Sequence, residues 1–204
     1  VAISDNLTLV TDLYNRSISI EERDGTAENT LVARYYLFPN NMSAFSQEEL
    51  FEAIKAGGVS TVNDILNLEI NGQKFYTINR VETFEYSDTL HKFLDIPSKT
   101  TTRVILDNIA PDTDLKQAGT VVSESEINSL DLKAGIVEYT VQIFDEELKF
   151  NKTIKIYRNL QGRTLASYTL DNTTGEPVTA DFYFNYNAFG VADRSISLVR
   201  VGDK

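Results

Sequence analysis

The tightest constraint on the fold is a two-residue rhythm late in the chain. Val137, Tyr139, Val141 and Ile143 alternate with Glu138, Thr140 and Gln142. Successive side chains of a strand point to opposite faces, so this segment predicts a strand with one dry and one wet face. Asp145-Glu146-Glu147 then turns the chain into Leu148, Phe150, Ile154 and Ile156, which completes a long antiparallel hairpin. Thr164 to Leu170 and Val178 to Asn187 flank the turn-rich stretch Asp171 to Pro177 and predict a second hairpin. Ser195 to Val201 reads as a last strand.

The same rhythm opens the chain at Leu7, Leu9, Thr11 and Leu13, and again at Ser17-Ile18-Ser19-Ile20. Leu31 to Phe38 is apolar on both faces apart from Arg34, the pattern of a strand covered on both sides or at a subunit interface. Ser46-Gln47-Glu48-Glu49 has capping-box spacing, with Phe45 and Leu50 as a hydrophobic staple and Gly57-Gly58 as a stop, so a helix is predicted over Ser46 to Ala56. Val62, Ile65 and Leu66 predict a second helical turn over Ser60 to Leu66. Asn71-Gly72 between Leu68 and Phe75 predicts a tight hairpin turn. Its second arm is read as running on through Tyr76 and Ile78. Asp88 to Leu94 is assigned a short helix ended by Pro97, and Thr101 to Ile109 a further strand.

Many short strands with a single convincing helix predict a mainly β fold, an antiparallel β-sandwich or barrel-like domain with one short helical insertion. A single β-rich domain is expected over residues 1–204, with the insertion at residues 39–66. No internal repeat or low-complexity segment stands out.

At 204 residues the chain buries a core without metal or disulfide, and zero cysteines exclude thiol catalysis and cysteine-based zinc sites. Nineteen Lys and Arg against thirty Asp and Glu give a net charge of −11, which opposes adhesion to a phosphate backbone. No apolar run approaches the length of a membrane-spanning helix. His91 is the single histidine and is read as a surface or helix-packing residue, which leaves a serine triad without support. Asp112-Thr113-Asp114 is a fragment of a calcium loop without the glycine and distal glutamate of an EF-hand, and is read as a solvated turn. Five Asn-x-Ser/Thr triplets, starting at Asn6, Asn15, Asn41, Asn151 and Asn172, are read as surface polarity. No catalytic, cofactor-binding or metal-ligating residue is assigned, and no cofactor is expected.

Late aromatics cluster at Phe182, Tyr183, Phe184, Tyr186 and Phe189. Alternation puts Phe182, Phe184 and Tyr186 on one face with Val178 and Ala180, as core, and turns Tyr183 toward a partner or ligand. These features favour a non-enzymatic, self-assembling structural subunit, most concretely a phage virion protein (tail tube or head decoration) or a filament subunit. The alternative is a secreted or cell-surface β-sandwich binding module, an adhesin or carbohydrate-binding domain. The expected partners are copies of itself, through the N-terminal Val1 to Leu13 segment or the Pro39 to Ala44 loop, and other structural proteins of the assembly. The expected location is the virion or the extracellular space. In a conduit for DNA the surplus carboxylates would line the lumen, with Glu138 and Glu147 as probes.

Overall fold

Alternation along the chain produces fifteen described strands and two short helices, and the fold is mainly β and antiparallel. The computed structural model describes residues 2–11, 17–26, 28–39, 47–56, 58–70, 72–74, 76–87, 92–93, 96–103, 112–114, 119–144 and 150–200. Packing within the chain divides it into two compact units, Val1–Thr120 and Val121–Lys204.

The first unit is built on β1 (Leu7–Thr11), β2 (Ser17–Arg23), β3 (Leu31–Pro39), β6 (Tyr76–Thr83) and β9 (Lys99–Arg103), antiparallel neighbours in that order. Register sets Leu9 opposite Ile20, Ile20 opposite Tyr35, and Tyr35 opposite Val81, so one face carries an unbroken apolar row. Helix α1 (Gln47–Ala56) and helix α2 (Val62–Leu66) lie in sequence between β3 and β6, which are adjacent strands. Val62, Ile65 and Leu66 of α2 join Leu7, Leu9, Ile20, Ala33, Tyr35, Leu37, Ile78 and Val81 in the buried core, and Phe51, Ala53 and Ile54 of α1 pack against it. Two-residue strands β4 (Glu69–Ile70) and β5 (Gln73–Lys74) form the expected hairpin, with Gly72 at φ +75 in the turn.

Several expectations change here. The arm after Asn71-Gly72 ends at Lys74, and β6 is a strand of the main sheet rather than a continuation of the hairpin. The helix assigned to Asp88 to Leu94 gives way to β8 (Lys92–Phe93), which pairs with β7 (Tyr86–Ser87); cross-strand pairing overrides the weak helical spacing. β9 starts at Lys99, ahead of the predicted Thr101, and residues 104–111 lie outside the described residues, as does the N-cap Ser46. The two faces of β3 are covered unequally: Ala33, Tyr35 and Leu37 are buried, whereas Val32, Arg34 and Tyr36 are half-buried.

That second face holds a ladder of ion pairs. Glu21, Arg34 and Glu82 stand directly opposite one another on β2, β3 and β6. Arg34 bonds Glu21 through Nη2 at 2.8 Å and Nε at 3.1 Å, and Glu82 through Nη1 at 3.2 Å. Tyr36 donates its hydroxyl to Glu82 at 3.1 Å, and Arg80 pairs with the same carboxylate while its guanidinium lies over the Tyr36 ring. Glu82 is only 3% exposed, so these donors replace the water it loses.

Helix α2 has five residues, too few to hold itself, and its start is fixed by side chains. Thr61 Oγ1 accepts from the Asp64 N–H at 3.1 Å, and the Asp64 carboxylate accepts from the backbone N–H of Thr61 at 2.8 Å and of Ser60 at 3.0 Å. Thr61→Ala is expected to cost about 1 kcal/mol in a urea titration. The Ser60 backbone bond, assisted by both hydroxyls and opposed by partial burial, holds the Asp64 carboxyl below its usual 3.8. A depressed folded value contributes stability that is present above the unfolded value and lost as pH falls through the folded one. The stability gap between wild type and Asp64→Asn should therefore be full at pH 7 and close as pH falls below 3.8; a gap that is constant with pH would refute this role.

The second unit is a meander of β10 (Val121–Asp131), β11 (Ile136–Phe144), β12 (Phe150–Asn159), β13 (Thr164–Leu170), β14 (Pro177–Tyr186) and β15 (Ala192–Val199), each paired antiparallel with the next. The alternation of residues 137–143 appears as expected, with Val137 and Tyr139 buried and Glu138 and Gln142 on the other face. Among the described residues of this unit, Val137, Tyr139 and Ala166 are its buried hydrophobics. A six-strand sheet with so few is mostly surface.

Candidate functional site

Two of the described meander turns share one construction. Asn159 Oδ1 accepts from the backbone N–H of Gln161 and Arg163 at 3.1 and 2.9 Å; Asn187 Oδ1 accepts from Phe189 and Val191 at 2.9 and 3.1 Å. In both turns a glycine three residues on, Gly162 or Gly190, adopts positive φ and donates back to the asparagine carbonyl at 2.9 or 3.0 Å. Two other turns use an aspartate and a glycine four residues on: Asp131 Oδ1 accepts from Lys133 and Ala134 at 2.9 Å, and Asp171 Oδ1 from Thr173 and Thr174 at 2.8 Å. Asp131, Asn159 and Asn187 are equally spaced in the chain. After the second and third of them come Ser167-Tyr168-Thr169-Leu170 and Ser195-Ile196-Ser197-Leu198 at matching positions. These two hairpin turns and the strands that follow them thus repeat a local pattern. Its signal was Asn-x-x-Gly followed by Ser-[Tyr/Ile]-[Thr/Ser]-Leu, weak because the residues between diverge.

Phe182, Phe184 and Tyr186 do share a face, but each is half-buried rather than core. Tyr157 meets Tyr168 edge-on at 5.7 Å, and Tyr168 meets Phe182 edge-on at 5.9 Å. The register then places Phe182 opposite Ile196 and Ala180 opposite Leu198. An apolar stripe therefore crosses β12, β13 and β14 and ends on β15, where Ile196 is 53% and Leu198 57% exposed. With Phe189, Val191 and Val199, five of the six large exposed hydrophobics among the described residues fall between 189 and 199. The sixth, Leu160, lies in the β12–β13 turn.

Each unit also has a hollow among its described residues. In the second unit an open groove of about 440 Å³ is lined by Arg163, Tyr183, Tyr186, Asp193 and Arg194. Arg163 lies over the Tyr186 ring at 5.5 Å, and the buried Tyr186 hydroxyl has no hydrogen-bond partner among the described residues. Tyr183, expected to face a partner or ligand, is half-buried in this groove. In the first unit a cleft of about 350 Å³ is lined by Glu22, Tyr35, Thr61, Asn63 and Asp114, among others. Burial, with the Glu22 carboxylate that accepts the Tyr35 hydroxyl at 2.7 Å, pushes that phenol up, so it stays a protonated donor and is no base.

The remaining expected positions carry structural duties or lie outside the described residues. Glu138, although burial acts to raise it, is held below the usual carboxylate value by bonds from Asn128, Tyr157 and Lys155, so its charge is matched locally. Thr113 accepts from Asn63 Nδ2 at 3.1 Å and so braces α2. His91, Glu147 and residues 40–44 lie outside the described residues. The N-terminal segment, expected to be ordered by a neighbouring subunit, is ordered by its own chain: β1 pairs with β2, and Leu7 and Leu9 are buried. Among the described residues, no helix is long and apolar enough to cross a membrane, and no cluster of three or more His, Cys, Asp or Glu is placed to hold a metal ion. No protein-family model matches the chain, and no curated protein matches it.

Proposed function

We propose that this chain is a non-enzymatic structural subunit that assembles with copies of itself and with other structural proteins, in a phage virion as a tail-tube or head-decoration protein, or in another extracellular filament. The observation that carries this reading is the apolar strip on β15 and the preceding turn. Single exposed hydrophobics are ordinary, but a cluster such as Phe189, at 92% exposure, with Val191, Ile196, Leu198 and Val199 is the kind of surface that a partner covers. The net charge of −11 suits a subunit that passes or surrounds nucleic acid without adhering to it. The groove around Tyr183 and Arg194 favours one second reading, a secreted or cell-surface binding module, because aromatic and charged groups converge there.

Sedimentation separates the two. A subunit runs as a species larger than its 22.9 kDa chain at micromolar concentration, and Ile196→Asp returns it to monomer with unchanged circular dichroism. A wild type that stays monomeric removes the assembly reading in favour of the binding module.

A further inference from the structure

The hairpin repeat says what β15 was built to do. Its counterpart β13 is an interior strand, paired with β12 on one edge and β14 on the other. β15 repeats the Ser-x-Ser/Thr-Leu core of β13 yet has β14 as its one neighbour among the described residues. Its two charges, Asp193 and Arg194, sit together near its start, it contains no proline and no lysine, and its ladder with β14 runs without a register shift. Every residue from Asp193 to Val199 is exposed. The Arg200 N–H is turned inward to Val178 O at 2.9 Å. Alternation therefore turns the backbone groups of Ser195, Ser197 and Val199 outward, ready to pair.

We propose that β15 pairs antiparallel with β15 of a second copy about a two-fold axis through Ile196, an inference that rests on the assembly reading. Charge and shape select the register. Directly opposed residues of an antiparallel pair project from the same face, so a two-fold axis must pass through a residue and set that residue against its own copy. An axis through Asp193 opposes two carboxylates, one through Arg194 opposes two guanidiniums, and one through Ser197 sets Arg194 against the copy's Arg200. An axis through Ser195 sets each Ile196 against Arg194 and joins no two large apolar side chains of β15, while one through Leu198 joins the leucines but shortens the ladder of described residues to Ile196 through Arg200. The axis through Ile196 alone joins isoleucine to isoleucine and lays the methylene stem of Arg194 beside Leu198. The stripe Tyr168, Phe182, Ile196 then continues without interruption into its copy.

In this register the two Ile196 residues form a non-hydrogen-bonded pair, with Cα atoms about 4.5 Å apart. That lies within disulfide reach. Because the chain has no cysteine, single substitutions report the contact cleanly. Ile196→Cys under mild oxidation is expected to convert most of the protein to covalent dimer. Arg194→Cys and Leu198→Cys should crosslink when mixed, and neither should do so alone. If Ile196→Cys sediments as an oligomer yet forms no covalent dimer, the strand self-pair is wrong while the assembly reading stands. If both wild type and Ile196→Cys are monomers at micromolar concentration, the two readings fall together. Position 196 is more than half exposed, so the substitution leaves the fold intact, which circular dichroism checks.

Discussion

Arg34→Met should destabilise the first unit by about 2–3 kcal/mol, because the buried Glu82 keeps Arg80 and Tyr36 but loses one of its two cationic partners. Glu82 is 3% exposed and depends on Arg34, Arg80 and Tyr36 for the contacts that water would otherwise make. Arg34 also bridges to Glu21 and lies over the Phe84 ring at 5.5 Å, so its loss opens a gap between three strands. Chemical denaturation followed by circular dichroism measures the effect. The decisive comparison is the double variant Arg34→Met/Glu82→Met, which removes the stranded charge and should recover much of the loss. A single variant within about 1 kcal/mol of wild type would mean that the ladder is a solvated surface array, since exposed pairs contribute no more than that.

Leu9→Ala should cost about 3–4 kcal/mol, and removal of residues 1–13 should prevent the first unit from folding. Leu9 is fully buried, opposite Ile20 on β2, so truncation leaves a cavity that the strand ladder resists closing. Deleting the whole segment goes further, because it removes Leu7 and Leu9 together and bares the row Ile20, Tyr35, Val81 that they cover. Limited proteolysis and near-ultraviolet circular dichroism read the result. A truncated protein that keeps native aromatic signals and resists cleavage in its first unit would restore the view that this segment serves assembly rather than folding.

The repeat and the ladder show where reading a chain from its residues stops. Alternation at residues 137–143 was legible because a half-buried strand needs nothing beyond its own side-chain order to reveal a wet face and a dry one. The second helical turn was legible for a related reason: Val62, Ile65 and Leu66 lie on one side at helical spacing, and all three are buried. The Thr61 and Asp64 cap is equally local, yet it is absent from the expectations and comes from the structure. Register is different, because it is set by pairing between strands distant in sequence. Arg34 stands out in sequence as one charge in an apolar run, but only pairing sets Glu21 and Glu82 on either side of it. The aromatic run at 182–186 has the alternation of a core strand, and no local feature tells whether another layer covers it. Likewise Ser195-Ile196-Ser197-Leu198 reads as a strand wherever it sits. By itself, then, the sequence determined the mainly β character, the turns and the charge balance, since these depend on neighbours a few residues apart. The tertiary structure alone decided that β15 has β14 as its one neighbour among the described residues, because an edge is defined by the partner that is absent and not by the residues that are present.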